Sequence, residues 1–296
     1  MATLIYFVFA WALVLAPSYA DRPSVEELTS YNYHLKVGIP SAARVKRYEE
    51  NAIKTGQSNY KIAGGSVTDI SEIPYQAGLV IIIFHLYTSI CGGSLISKTR
   101  LVSAAHCQYD GFFNATSQTI VLGSNTLFSG GLRLTTSETI LHPGWNPETA
   151  EGDIAVIRIP EITLTDVIQP IALPNQGDIN VSFAYHTALA SGFGINGDYT
   201  LIQPNQVLSS VDLEIITNAE CANVHGEYVH DTNICISGAE GKSTCSGDSG
   251  GPLVIQTGNR KILVGATSYG SSLGCTVGYP VAFSRITSYL SWILSI

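Results

Sequence analysis

The chain has 296 residues, of which 45% are apolar and 13% are charged, and its formal net charge is −8. These values indicate a globular protein with one large or two small cores, and they exclude a low-complexity chain. The charge is uneven: residues 21–61 carry a net charge of +2 and residues 62–296 carry −10, which excludes the basic surface of a nucleic-acid-binding domain.

An apolar run from Leu4 to Ala16 is followed by the small residues of Ser18-Tyr19-Ala20. The run is short for a bilayer span, and small residues before a cleavage point are typical of a secretory signal peptide. We therefore predict a signal peptide over residues 1–20, a secreted and extracellular protein, and no membrane attachment once the peptide is removed. No Lys or Arg precedes the run, and an uncleaved membrane anchor is the alternative.

Residues 21–61 are polar, lack a sustained hydrophobic period and contain no cysteine. A segment that offers so little apolar surface is predicted to be partly disordered. The absence of cysteine also means that no disulfide can connect this segment to the rest of the chain.

From Ile62 onward, short β-rich runs alternate with Gly, Pro and Asn turns, which favours an all-β barrel or sandwich. The clearest predicted strands cover residues 77–86, 119–122, 154–159, 207–216, 252–255 and 262–268. One late segment follows helical spacing instead and predicts a C-terminal amphipathic helix. Its apolar positions are Ile286, Tyr289, Leu290, Ile293 and Leu294.

The cysteines, an even number of six, are expected to form disulfides in a secreted protein. Six cysteines allow 15 pairings, among which the sequence alone does not choose. No C-x-x-C or H-x-x-x-H spacing occurs, so we predict no metal site of the zinc type. Asn114-Ala115-Thr116 and Asn180-Val181-Ser182 are glycosylation sequons, which makes Asn114 and Asn180 candidate glycosylation sites.

Three segments together supply a histidine, an aspartate and a serine, in that order along the chain. They are Ser103-Ala104-Ala105-His106-Cys107, Asp153-Ile154-Ala155-Val156 and Gly247-Asp248-Ser249-Gly250-Gly251-Pro252. A serine hydroxyl becomes an effective nucleophile when an adjacent base takes its proton, and histidine has the pKa suited to that exchange. A buried carboxylate orients the imidazole and stabilises its protonated form.

On these motifs the chain resembles the chymotrypsin-like (trypsin-fold, S1-type) serine endopeptidases from Ile62 to its C-terminus, and most closely the secreted digestive chymotrypsins and elastases of invertebrates. The resemblance implies two six-stranded antiparallel β-barrels, over about residues 62–170 and 171–296, with the active site in the cleft between them. It implies that Ser249 is the nucleophile, His106 the general base and acid, and Asp153 the orienting carboxylate. The N–H groups of Gly247 and Ser249 would form the oxyanion hole.

The resemblance also implies activation by proteolysis. Residues 21–61 become an activation propeptide, because Ile62-Ala63-Gly64-Gly65 after Lys61 is similar to the N-terminus of mature family members. A trypsin-like protease would cut after Lys61, and the freed amine of Ile62 would pair with Asp248. The implied disulfides are Cys91–Cys107, Cys221–Cys235 and Cys245–Cys275.

Substrate preference follows from the pocket residues that the resemblance identifies. Trypsin-like members carry an aspartate six residues before the nucleophile, and this chain has Ser243 there. A basic side chain buried without a counter-charge costs several kcal/mol. Gly270 matches an open pocket wall, and Val281 falls where glycine is usual and would narrow the pocket. We expect a chymotrypsin-like preference for Tyr, Phe, Leu or Met, with an elastase-like preference for smaller aliphatic residues as the alternative.

The resulting hypothesis is a secreted digestive endopeptidase, made as a zymogen and monomeric, that needs no cofactor. Its expected partners are protein and peptide substrates, the activating protease and protein inhibitors of proteases. Residues 111–137 contain no carboxylate, so no calcium loop is expected. A non-catalytic homologue that acts by binding is disfavoured because all three motif residues are present. A regulatory cascade protease is disfavoured because residues 21–61 hold no cysteine-rich module.

Overall fold

The computed structural model describes residues 23–55, 66–195, 197 and 207–296. The predicted signal peptide and the Lys61-Ile62 junction therefore lie outside the described residues. No helix within the described ranges is long and apolar enough to cross a membrane.

The first barrel is an antiparallel sheet in the order β6-β5-β2-β3-β4-β8-β7. Its strands are β2 (Gln76–Ile83), β3 (Tyr87–Ser97), β4 (Arg100–Ser103), β5 (Ala115–Leu122), β6 (Leu132–Thr136), β7 (Thr139–Leu141) and β8 (Ala155–Arg158). Residues 137–138 interrupt what is otherwise one strand formed by β6 and β7. Since β6 pairs with β5 and β7 pairs with β8, this interrupted strand closes a six-stranded barrel.

The second barrel closes in the same way. Its strands are β9 (Thr187–Gly192), β10 (Ser209–Ile216), β11 (Asn233–Ile236), β12 (Pro252–Thr257), β13 (Arg260–Tyr269) and β14 (Val281–Arg285). Strand β9 pairs with both β10 and β12, which completes the ring, and the short β1 (Ser66–Val67) adds to β10. The predicted pair of six-stranded antiparallel barrels is confirmed.

The apolar run of β2 is buried on both of its faces. Leu79 and Ile81 belong to the core inside the first barrel, whereas Val80 belongs to a second cluster. That second cluster also contains Val254 and Leu263 of the second barrel, so it lies between the barrels. A strand buried on both sides needs a continuous apolar sequence rather than an alternating one, which explains the run in β2.

The described helices are α1 (Ile39–Thr55), α2 (Asn218–His225) and α3 (Ile286–Ser295). In α2, the Thr217 hydroxyl accepts from the Glu220 N–H at 3.2 Å and the Glu220 carboxylate accepts from the Thr217 N–H at 2.8 Å, which forms a capping box. Helix α3 was predicted, and its apolar positions are buried except Leu294, which is 60% exposed. Leu294 follows the helical spacing but lies outside the buried face of α3, in its last turn.

Helix α3 also contacts the first barrel, which the sequence did not indicate. The Arg158 guanidinium donates to the Ile296 carbonyl at 2.7 Å, and the Arg100 guanidinium donates to the Ile293 carbonyl at 3.4 Å. Both arginines belong to strands of the first barrel. Cations at a helix C-terminus satisfy its free carbonyls and its dipole, so α3 connects the two barrels.

The prediction of partial disorder is wrong for residues 23–55, which are folded against the barrels. A short π-helical turn, His34–Gly38, leads directly into α1. Ala42, Val45 and Glu49 of α1 are buried, at spacings of three and four residues. This helical stripe consists of a small residue, a valine and an acid, and so it gives only a weak hydrophobic signal.

Among the 15 pairings that the sequence leaves open, the structure has the three that the resemblance implies: Cys91–Cys107, Cys221–Cys235 and Cys245–Cys275. The first joins β3 to the turn that carries His106. The second joins α2 to β11. The third joins the loop before Ser249 to the loop after β13.

Candidate active site

The three motif residues approach one another from both barrels. His106 lies in a 3-10 turn, Ala105–Cys107, directly after β4, and Asp153 lies directly before β8. Since β4 and β8 are neighbours in the first barrel, these two residues meet at one end of it. Ser249 lies in the loop before β12 of the second barrel. The site is therefore assembled at the junction of the barrels.

The histidine and the aspartate are in direct contact and fully buried. His106 Nδ1 lies 2.7 Å from Asp153 Oδ2, and the His106 backbone N–H donates to Asp153 Oδ1 at 2.9 Å. These contacts direct Nε2 away from the aspartate. The carboxylate is thus placed to orient the imidazole and to stabilise its protonated form.

Two serines of the second barrel hold Asp153 in place. Ser268 donates to Asp153 Oδ2 at 2.6 Å, and Ser284 donates to the Asp153 carbonyl at 2.6 Å. Both serines lie inside strands, Ser268 in β13 and Ser284 in β14. Ser284 was not predicted, because nothing in its local sequence signals such a contact.

The Ser249 loop turns sharply where glycine is required. Gly247 has φ of +102° and Gly250 has φ of +77°, a backbone region that side chains rarely allow. The Ser249 carbonyl accepts from the Gly92 N–H of β3 at 2.7 Å, which ties this loop to the first barrel. Within the described part of the chain, the N–H groups of Gly247 and Ser249 donate no hydrogen bond.

The side chain before the serine is buried against two glycines. The Asp248 carboxylate accepts from the backbone N–H groups of Gly194 at 2.8 Å and Cys245 at 2.9 Å. A Cβ at Gly192 or Gly194 would lie 2.1 or 2.5 Å from Asp248 Oδ1, so neither position admits a side chain. Burial raises the pKa of Asp248 from 3.8 to about 6, against the effect of these hydrogen bonds. Among the described residues, no basic group forms an ion pair with it.

The raised pKa of Asp248 predicts a stability effect in the intact chain. A carboxyl whose pKa is higher in the folded state favours folding when protonated, so its contribution falls as pH rises from about 4 to 6. A rise from 3.8 to about 6 corresponds to at most about 3 kcal/mol. Asp248→Asn, which stays neutral, should therefore make the intact chain lose less stability between pH 4 and pH 7. Urea unfolding of both proteins at the two pH values tests this, and equal losses would contradict it.

A cavity lies beside Ser249, and its lining includes Thr244, Gly270 and Val281. A Cβ at Gly270 would lie 3.2 Å from Val281 Cγ2, so the two residues are close neighbours in the wall. The structure thus brings Gly270 and Val281 together beside Ser249, in the cavity wall where the resemblance places them.

The structure does not bring Ser243 to that cavity. Ser243 lines a neighbouring cavity together with Asp248, Gly192 and Gly194. It is buried, and its hydroxyl has no hydrogen-bond partner among the described residues. Thr244, the next residue, occupies the wall beside Ser249 instead.

The remaining candidates are the two glycosylation sequons and one group of potential metal ligands. Asn114 and Asn180 are both exposed. Cys91, His106 and Cys107 are the one group of potential metal ligands found in the described ranges. Its cysteines are joined in a disulfide and its histidine is bonded to Asp153, so this group is not suited to hold a metal.

Comparison with known proteins matches residues 62–293 to the family described as Trypsin. The chain is 39% identical to a collagenase of Hypoderma lineatum over 79% of this chain and 86% of that protein. It is 38% identical to brachyurin of Leptuca pugilator over 78% and 96% of the two chains, and 34% identical to a chymotrypsin of Phaedon cochleariae over 79% and 81%. A solved structure of HL collagenase matches with a TM-score of 0.72 at 36% identity, over 79% of this chain and 97% of that one.

Proposed function

The chain belongs to the trypsin family of serine proteases, and we propose that it is a secreted endopeptidase made as a zymogen, with Ser249, His106 and Asp153 as its catalytic triad. The observation that carries the proposal is the buried contact between His106 Nδ1 and Asp153 Oδ2 at 2.7 Å, next to Cys107, whose Sγ lies 3.7 Å from the Ser249 carbonyl oxygen. A non-catalytic homologue would have no need of this arrangement.

In the proposed reaction, Ser249 Oγ attacks the peptide carbonyl carbon while His106 Nε2 takes its proton. Asp153 stabilises the imidazolium, and the N–H groups of Gly247 and Ser249 stabilise the negatively charged oxygen. Loss of one such donor typically costs about 3 kcal/mol of transition-state stabilisation. His106 then protonates the leaving amine, and water hydrolyses the acyl-enzyme by the same steps in reverse order.

Activation would follow cleavage after Lys61. The cut would make Ile62 the new N-terminus, and its ammonium group would pair with Asp248. The buried carboxylate, with its raised pKa, supports this because an adjacent cation would lower its energy. The cavity lined by Asp248, Gly192 and Gly194 offers a place for that terminus.

Specificity is proposed to be chymotrypsin-like. Relatives named collagenase, chymotrypsin and trypsin are all similar to this chain, so family membership alone does not select the cleaved residue. The described lining of the cavity beside Ser249 contains no acidic side chain, which supports a preference for Tyr, Phe, Leu or Met over Lys or Arg. A digestive role is supported by the eight Lys and Arg in residues 62–296, which leave few sites for tryptic attack.

The pocket assignment predicts the effect of Val281→Gly in protein cut after Lys61. The unmodified enzyme should cleave Suc-Ala-Ala-Pro-Phe and -Leu substrates and leave the Arg and Lys analogues intact. Removing the Val281 side chain beside Gly270 should shift the Phe-to-Leu ratio of kcat/KM toward Phe by about tenfold, because a wider pocket admits the larger ring.

The matched control is Val277→Gly, an exposed valine of the loop between Cys275 and Tyr279, which should leave the ratio unchanged. Efficient cleavage after Arg would contradict the proposed specificity. A Phe-to-Leu ratio that responds equally to both variants would contradict the role of Val281.

A further inference from the structure

Residues 27–29 pair with the segment that follows β13, next to the candidate active site. The Thr29 N–H donates to the Gly270 carbonyl at 3.1 Å, and the Ser272 N–H donates to the Glu27 carbonyl at 2.8 Å. Leu28 and Thr29 also line the cavity beside Ser249. An extended peptide that pairs with a free backbone edge is a common mode of peptide recognition. Residues 27–29 therefore occupy an edge that an extended substrate would use.

Tyr33 covers the catalytic histidine. Its phenol donates to the Ile90 carbonyl at 2.6 Å, and its ring centroid lies 4.7 Å from that of His106. Both side chains are fully buried, and His106 Nε2 has no hydrogen-bond partner among the described residues. Burial raises the pKa of Tyr33, and a hydrogen bond with the Ser249 side chain opposes the rise. The phenol is thus beside both catalytic side chains.

The same segment is anchored on the first barrel by buried polar contacts. The His34 N–H donates to Asp110 Oδ2 at 2.8 Å, and Asp110 is fully buried. At the far end of α1, the Glu49 carboxylate accepts from the N–H groups of Leu127 and Phe128. Breaking a buried hydrogen bond to a charged group is costly, so these anchors hold the segment at both ends.

Close packing and charge add to these anchors. A Cβ at Gly38 would lie 2.0 Å from Ser89 Oγ of β3, so the turn before α1 fits directly against that strand. The net charge of +2 on residues 21–61 opposes −10 on the remainder, which favours association. None of these contacts depends on the peptide bond after Lys61.

We propose that residues 23–55 form a built-in inhibitor that occupies the active-site cleft and stays bound after the chain is cut at Lys61. The inference rests on the proposed protease function. It adds a second step to activation: cleavage frees the Ile62 amine, and release of the non-covalent fragment then opens the cleft. Since residues 21–61 contain no cysteine, dilution or degradation of the fragment completes that step.

The test separates cutting from release. Ser58→Ile, Asn59→Glu, Tyr60→Gly and Lys61→Arg together create a factor Xa site before Ile62, which keeps residues 21–61 net positive and spares Arg44, Lys46 and Arg47 in α1. This full-length parent is compared with Gly38→Val, which adds a clash with Ser89, and with Leu35→Ala, a control at a 57% exposed position of the same turn. Tyr33→Ala serves as a second disrupting variant. After cleavage all four proteins contain the same mature chain.

Intact mass spectrometry measures the extent of cleavage, and size-exclusion chromatography shows whether the fragment stays bound. Activity is measured on a chromogenic Phe peptide. Fully cut parent and Leu35→Ala should retain the fragment at micromolar concentration and gain about tenfold or more in activity when diluted or freed of it. Inhibition should be competitive with the peptide. Fully cut Gly38→Val and Tyr33→Ala should be active at once and gain little.

The proposal would be overturned if the activity of the parent protein rose to its final value in parallel with cleavage at every protein concentration. Elution of the parent fragment apart from the mature chain would also overturn it. If the mature chain stays inactive after the fragment is removed, the proposed protease function is contradicted instead. In that case, co-elution still shows whether the fragment binds to the mature chain.

Discussion

Ser249→Ala in protein cut after Lys61 is expected to lower kcat for a Phe or Leu peptide by about six orders of magnitude. Without the hydroxyl no acyl-enzyme forms, and water alone must attack the carbonyl. Ser249 is buried but lies in a loop rather than in a barrel core, so thermal unfolding should be little changed. The measurement is kcat on purified enzyme from which the fragment has been removed, with long incubation times for the slow variant.

The sharpest control is the double variant Ser249→Ala with His106→Ala. Residues that act as one catalytic unit are non-additive, so the double variant should be no slower than Ser249→Ala alone. Two losses that multiply would show that serine and histidine act independently. Near-full activity of Ser249→Ala would remove the triad assignment altogether.

Asp248→Asn is expected to lower the activity of the cut protein by about 100-fold or more, because it removes one partner of the proposed ion pair with the Ile62 amine. A free α-amine has a pKa near 8, and pairing with Asp248 should raise that pKa in the active enzyme. The contribution of the pair is fully present below the unfolded pKa and is lost as pH rises through the folded pKa. Activity should therefore decline in alkaline solution.

The experiment is a titration of kcat/KM upward from pH 7, with N-terminal sequencing to show that Ile62 is free. Glu161→Gln is the matched control, because Glu161 pairs with Lys98 at 3.5 Å and both side chains are exposed, where ion pairs contribute little. An alkaline limb that Asp248→Asn leaves unchanged would contradict the ion pair. Full activity with residues 21–61 still covalently attached would contradict the activation mechanism.

The barrels could be predicted wherever the strand signal was strong. All six predicted strands overlap observed ones, because runs such as Leu79 to Ile83 are apolar and β-branched. Strand β3 was missed because Cys91-Gly92-Gly93-Ser94 has low strand propensity. Here the Gly residues are needed for close approach: a Cβ at Gly92 would lie 2.9 Å from Gly251 Cα of the serine loop.

The position of residues 23–55 could not be predicted, although their contacts are specific. Tyr33 and Glu49 are separated from their partners by long stretches of sequence, and each satisfies a site that exists only in the folded barrels. A propensity argument treats Glu49 as a solvent-exposed acid. Its burial becomes favourable only because two backbone N–H groups of another loop point at it.

The hydrogen bonds from Ser268 and Ser284 to Asp153 connect the two barrels at the candidate active site. The first barrel carries His106 and Asp153, while the second carries Ser249, the proposed nucleophile, and both of the hydroxyls that bond to Asp153. A small hinge opening at the apolar seam between the barrels would break these contacts together, with each barrel still folded. We therefore expect activity to fall whenever the contacts between the two barrels loosen. A molecule that binds to both barrels across the cleft should stabilise these contacts and block the reaction at the same time.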